Sequence, residues 1–214
     1  MKILVTGAAG TLGSAVVAHL RSLGWSVRAH DLVPLDPAQA DEVVTGDLRD
    51  PEQVRLLVDG MAGVVHAAAI PSPRPDEQAV FTNNVMSAYQ VLDAAGRGGV
   101  PRIVYVSSLS ALGFAYSFRG ASPESVPVTE DHPFVAEDVY GLSKYLGEQI
   151  AHTTALRWGG TVVNLRSRFS AAASGCASTS PACTRPRVAT GAACGRGWTP
   201  ATRRARSRPR SPRR

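Results

Sequence analysis

Glycines at positions 7, 10 and 13 come directly after the apolar run Ile3-Leu4-Val5 and open an amphipathic stretch, in the segment Thr6-Gly7-Ala8-Ala9-Gly10-Thr11-Leu12-Gly13. A strand that turns through glycine into a helix leaves the first-turn amides of that helix without partners. Those amides sit at the positive end of the helix dipole, a place suited to an anion. Gly7 suits the tight turn, Gly10 lets backbone approach a phosphate unobstructed, and Gly13 lets the helix pack close to the strand. The segment predicts a dinucleotide pyrophosphate held by Gly7, Ala9, Gly10, Thr11, Leu12 and Gly13. A glycine turn can also precede a helix without any ligand, so the residues of the second strand and beyond decide between the two.

The run Trp25-Ser26-Val27-Arg28-Ala29-His30-Asp31 reads as a second short strand ending in a carboxylate. At this distance from a glycine loop, Asp31 is placed to accept hydrogen bonds from ribose 2′- and 3′-hydroxyls. It also repels a 2′-phosphate, which favours NAD over NADP, with Arg28 as a nearby counterweight. The other reading of Asp31 is a solvated strand end.

Apolar β-branched runs then alternate with helical patterns. Strands are expected near 2–6, 26–31, 42–45, 63–67, 101–107 and 161–165, and helices near 11–23, 51–59, 76–97 and 137–158. That rhythm predicts an α/β fold, a doubly wound parallel sheet with helices on both faces. Ligands of such sheets bind beyond the carboxyl ends of the strands. The residues there are the glycine loop, Asp31, Asp47 with Leu48, His66-Ala67-Ala68-Ala69, and Ser107-Ser108. Asp47 and Leu48 are expected to meet an adenine, and the alanines to let a cofactor lie against backbone. For His66, a satisfied core position is at least as good a reading as cofactor contact. A stiff loop with Pro71, Pro73 and Pro75 and a longer one over 112–136 lie beside this edge.

Tyr140-Gly141-Leu142-Ser143-Lys144 puts a phenol and an ammonium on one helix face. An ammonium beside a phenol favours the phenolate, so the spacing predicts a tyrosine pKa lowered from about 10 toward working pH. A tyrosine so tuned serves as a general base for an alcohol. Ser108, at the end of the fifth strand, is the natural third member, holding the substrate oxygen.

With these residues in this order, the chain resembles an extended short-chain dehydrogenase/reductase of the NAD-dependent epimerase/dehydratase family, UDP-glucose 4-epimerase-like proteins included. The resemblance runs from residue 1 to about 166. It rests on the glycine loop, Asp31, Asp47-Leu48, His66-Ala67-Ala68, Asn84-Val85, Ser107-Ser108, Tyr140 and Lys144. It implies a Rossmann-type domain over 1–166, with Ser108, Tyr140 and Lys144 as the catalytic group and NAD as cofactor. Tyr140 and Lys144 would also hold the cofactor, Lys144 by its nicotinamide ribose, and Asn84 would stand among the cofactor-binding residues while corresponding to a mainly structural asparagine. The substrate would be a small molecule carrying a secondary alcohol, a nucleotide sugar or a relative of one. The helices near 76–97 and 137–158 resemble the family's dimer-forming pair, compatible with a homodimer. Two departures stand out. Ala111-Leu112-Gly113 occupies the place of the family's Val-Tyr-Gly, and nothing after Arg166 resembles the family's continuation.

The charge is split in the same place. Residues 1–165 carry all 17 acidic residues against 11 Lys and Arg, whereas residues 166–214 carry 12 Arg and no acid. The later segment also lacks Leu, Ile and Met, too little apolar surface to offset chain entropy, so 167–214 is expected to be a disordered basic tail. Its composition is that of out-of-frame GC-rich codons, which suggests a frameshifted end in place of a substrate domain. The rival reading, an arm for nucleic-acid phosphates over Arg203 to Arg210, has charge alone in its favour. Cys176, Cys183 and Cys194 match no zinc spacing, no metal site is expected, and the cysteine-free remainder fits a reducing cytoplasm. No apolar run approaches membrane-spanning length. Two functions stay open: an NAD-dependent oxidoreductase or epimerase with Tyr140 as base, and a catalytically inactive dinucleotide-binding fragment.

Overall fold

The computed structural model describes residues 1–167. The basic segment beyond, with its three cysteines and its expected disorder, lies outside the described residues. Six strands, β1 (Lys2–Thr6), β2 (Ser26–Asp31), β3 (Glu42–Thr45), β4 (Gly63–His66), β5 (Arg102–Ser108) and β6 (Thr161–Ser167), form one parallel sheet in the order β3-β2-β1-β4-β5-β6. The helices are α1 (Thr11–Ser22), α2 (Pro51–Val58), α3 (Glu77–Arg97) and α4 (Val139–Trp158). Each expected strand and helix is present, with ends shifted by at most two residues.

Strand pleating sends alternate side chains to opposite faces, and each face builds its own core. Ile3, Val5, Val27 and Ala29 pack with Val17 of α1 on one face. Leu4, Val64, Ile103 and Tyr105 pack on the other with Val54 and Leu57 of α2, Val91 and Leu92 of α3, and Ala151 of α4. The crossover between β3 and β4 passes to the opposite face from α1, so the order of strands reverses between β1 and β4. The crevice required for a ligand opens there.

Helix starts are fixed locally. Asp50, Asp76 and Asp138 cap α2, α3 and α4 by accepting backbone N–H groups of the first turn, each cap being worth about 1 kcal/mol. Helix α1 begins at Gly10 with no side-chain cap and no acid in its first turn. Among the described α-helices it is the one whose N-terminal dipole is left uncompensated. At the far end of the sheet, a Cβ on Gly147 would collide with the Tyr105 hydroxyl, so glycine lets α4 settle onto β5. Among the described residues no helix is long and apolar enough to cross a membrane.

Candidate active site

Beyond the carboxyl ends of the strands lies a cavity of about 1150 Å³. Its middle is the glycine loop, with Gly7, Ala9, Gly10, Thr11, Leu12 and Gly13 all on the wall. Gly7 has φ +73°, and a Cβ there would meet the backbone N of Ala68 at 2.6 Å. A Cβ on Gly13 would overlap the Gly7 carbonyl oxygen. Loop, helix start and the Ala67-Ala68 segment therefore approach one another as only glycine allows. The free first-turn amides of α1, unopposed by a capping carboxylate, suit a pyrophosphate.

Asp31, Asp47 and Leu48 line the end of the cavity nearest β2 and β3. Asp31 is held at the rim, its carboxylate accepting the Ala9 N–H at 2.9 Å and the Val33 N–H at 3.3 Å. Arg28 is directed elsewhere. Its Nε donates to Glu42, its register partner on β3, at 2.5 Å, and its Nη1 donates to the Leu57 carbonyl at the end of α2 at 2.8 Å. The counterweight to NAD selectivity allowed to Arg28 is therefore absent from the cavity. The Asp47 carboxylate already carries a partner, with Arg49 Nε at 2.9 Å and Nη2 at 2.5 Å, and Arg49 holds it below the usual carboxylate range.

Two of the expected cofactor contacts stand outside the cavity wall. His66 does not line the cavity. It is buried, its Nδ1 pairs with Thr6 Oγ1 at 2.8 Å, and its ring stacks on Tyr105 at 5.9 Å. Burial, with Lys144 and His30 adding to it, lowers its pKa to about 3, which makes it a neutral core histidine. Asn84 also lies behind the wall. Its Oδ1 accepts the Ile70 N–H at 2.8 Å, and its Nδ2 donates to the Ile70 carbonyl and to Ser143 Oγ, each at 3.1 Å. It pins the segment after β4 to α3 and α4, a structural role.

Ser108, Tyr140 and Lys144 meet at the opposite end of the cavity. Ser108 starts a 3-10 turn over Leu109–Leu112 and accepts the Ser110 N–H at 3.1 Å. Tyr140 and Lys144 lie in the first two turns of α4, and the ammonium stands 5.9 Å from the Tyr140 ring centroid and 5.3 Å from that of Tyr105. Lys144 Nζ donates to the Val106 carbonyl at 2.9 Å. Burial pulls the lysine pKa down to about 8, and Glu148 acts against that fall.

The expected lowering of the Tyr140 pKa is not what the site has. Burial raises it, Tyr116 and Asp138 raise it further, and the Ser108 hydroxyl pulls it down. Helical spacing brings the phenol and the ammonium together. It does not count the solvent that both lose, nor the carbonyl toward which the ammonium turns.

Several wall residues escaped sequence reading. Phe114, Tyr116 and Val128 come from the long loop, where no periodicity marks them, and the Tyr116 ring meets Tyr140 edge-on at 6.2 Å. Asn83 and Ser87, also on the wall, were legible as an i, i+4 polar pair on α3. His30 lines the cavity too, buried and with no hydrogen-bond partner at either ring nitrogen. Its pKa falls through burial, against Asp31, the Gly46 backbone and Asp47, so the ring is neutral near pH 7. A polar residue at an inward strand position just before the acidic residue was the available signal.

The family model described as the NAD dependent epimerase/dehydratase family matches residues 3–172. The chain belongs to that family. It is 31% identical over 167 residues to uronate dehydrogenase of Pseudomonas putida, covering 77% of this chain and 59% of that one. It is 32% identical over 181 residues to UDP-glucose 4-epimerase of Corynebacterium glutamicum, covering 78% and 50%. Among solved structures, a short-chain dehydrogenase/reductase superfamily protein of Agrobacterium tumefaciens with bound NAD superposes with a TM-score of 0.68 at 38% identity, over 78% of this chain and 48% of that one. This epimerase/dehydratase chain therefore spans between half and three fifths of the length of these two curated relatives.

Proposed function

We propose that residues 1–166 are the NAD-binding domain of an enzyme that oxidises a secondary alcohol of a sugar, a nucleotide sugar or a related small molecule. One observation carries this reading: a single cavity joins the uncapped glycine loop and Asp31 to Ser108, Tyr140 and Lys144. The kinship with uronate dehydrogenase and UDP-glucose 4-epimerase supports the sugar class. Bound NAD would accept hydride from the carbinol carbon.

The chain's own residues handle the proton and the geometry. Ser108 Oγ holds the substrate oxygen, and Tyr140 takes its proton as general base. Lys144, still mostly an ammonium at pH 7 with a pKa of about 8, places a positive charge beside the phenol. That charge and the Ser108 hydrogen bond favour the phenolate against burial, so oxidation is expected to speed up as pH rises above neutral. Release of the ketone makes a dehydrogenase, and return of the hydride to its other face makes an epimerase.

The test is NADH formation by the full chain across uronates, free sugars and UDP-sugars. Tyr140→Phe is expected to cost at least about 100-fold in turnover with NAD binding retained. An unchanged rate refutes the assignment of the base. The second reading, a dinucleotide-binding unit without turnover, is favoured by Val163 and Leu165 of β6, which are half exposed where an active enzyme would cover them. NAD binding without oxidation of any alcohol supports it. The half-exposed Phe81, Met86 and Tyr89 on α3 make that helix the natural face of a homodimer.

A further inference from the structure

Tyr140, Lys144 and Glu148 follow one another at intervals of four on α4, so they share one helix face, and all three are buried. The sheet engages that face residue by residue. The Val106 carbonyl accepts the Lys144 ammonium, and the next residue on β5, Ser107, donates its hydroxyl to Glu148 Oε1 at 2.5 Å. Arg166, the register partner of Ser107 on β6, grips the same carboxylate through Nε at 2.9 Å and Nη2 at 2.8 Å. Its Nη1 donates to the Glu130 carbonyl of the long loop at 3.1 Å. One buried carboxylate thus joins the helix of Tyr140 and Lys144, the strand that ends in Ser108, and the loop that brings Tyr116 and Val128 to the cavity wall.

A buried ion pair adds little stability over apolar side chains of the same volume, so folding alone gives little reason for a charge here. The neighbouring ammonium gives one. Burial drives Lys144 toward its neutral form, and Glu148 is the group that opposes this. Also around the ammonium are the Tyr105 ring from β5, the Tyr140 ring from α4 and His66 from β4. His66 is neutral near pH 7 and burial raises both phenols, so none of these three brings a negative charge. We propose that Glu148 is a positioning residue of the catalytic group, the counter-charge that keeps the Lys144 ammonium beside Tyr140, with Arg166 of β6 fixing that counter-charge in place. Glu148 is not on the cavity wall, so it acts through Lys144 and not on substrate. The proposal rests on the reading of Ser108, Tyr140 and Lys144 as the catalytic group.

The chain has two lysines, Lys2 and Lys144, so carbon-13 at lysine Cε gives two NMR signals, with Lys2 as internal reference. Titrating the full chain reads the Lys144 pKa directly. Glu148→Gln keeps the shape and an acceptor for Ser107 but removes the charge, and is expected to lower that pKa by about 1 unit. Arg166→Gln removes the opposing cation and is expected to raise it. Looser packing admits water and raises the Lys144 pKa in both variants, so a fall in the first against a rise in the second is the signature of charge. A Lys144 pKa that is unchanged or raised in Glu148→Gln overturns the proposal. Should either variant fail to fold, carbon-13 glutamate in the unmodified chain decides: the Glu148 carboxyl signal is expected to step as Lys144 titrates near pH 8, and a flat signal there overturns the proposal. None of these readouts needs turnover. If Tyr140→Phe leaves turnover unchanged, the catalytic reading falls and takes the positioning role with it, whatever the titrations give.

Discussion

Replacing Lys144 by methionine is expected to stabilise the ligand-free protein while removing its activity. The side chain is 4% exposed, and its pKa stands at about 8 against an ordinary 10.5. That depression corresponds to a cost of about 3 kcal/mol for keeping an ammonium in the site at pH 7. The Val106 carbonyl loses its donor in the variant, which takes back about 1 kcal/mol. The net gain of about 2 kcal/mol corresponds to a rise in Tm of roughly 4–8 °C for a chain of this size. Linkage supplies a second check. Between pH 8 and 10.5 the unfolded lysine holds a proton that the folded one has released, so wild-type stability rises with pH through that window. The advantage of Lys144→Met must shrink accordingly, by roughly 1 kcal/mol between about pH 7 and pH 9. Thermal unfolding of both full-length proteins without ligand, at the two pH values, reads both quantities. A variant less stable than wild type at neutral pH, or an advantage that ignores pH, refutes the account of a buried charge kept for function.

Three further outcomes follow from the geometry. Arg166 grips the buried Glu148 carboxylate through Nε at 2.9 Å and Nη2 at 2.8 Å, while Ser107 Oγ donates to the same carboxylate at 2.5 Å. Arg166→Met leaves that charge unpaired and is expected to cost about 3 kcal/mol in a denaturant titration; a loss under about 1 kcal/mol would show that the pair is dispensable. Gly13→Ala drives a methyl into the Gly7 carbonyl, so NAD affinity is expected to collapse and stability to fall by at least about 2 kcal/mol, whereas retained binding would show that the loop can yield. Asp31→Ser removes the charge that repels a 2′-phosphate, and competition binding is expected to shift the NADP to NAD affinity ratio by about tenfold toward NADP; a constant ratio would place selectivity elsewhere.

Much of this molecule was legible because its signals are local. The β-branched runs separated by helical patterns, with aspartate caps before α2, α3 and α4, fix strands and helices, since period and caps act within a few residues. The sheet rule then places the glycine loop, Asp31 and Ser108 at one edge, and helical spacing joins Tyr140 to Lys144. What escaped depended on partners distant in sequence. Arg28 and Asp31 are three residues apart, yet the pleat sends them to opposite faces, and Glu42 with the end of α2 claims the arginine. His30 and His66 occupy equivalent ends of the two strands that flank β1, but only His30 borders the cavity, a difference that the register alone does not give. Asn84 looked like a site residue and is a clamp, for its partners lie on the segment after β4 and on α4. The direction of the Tyr140 pKa was missed for the same reason. Spacing determines which charges are neighbours, whereas desolvation depends on everything packed around them, and only the assembled tertiary structure sets that.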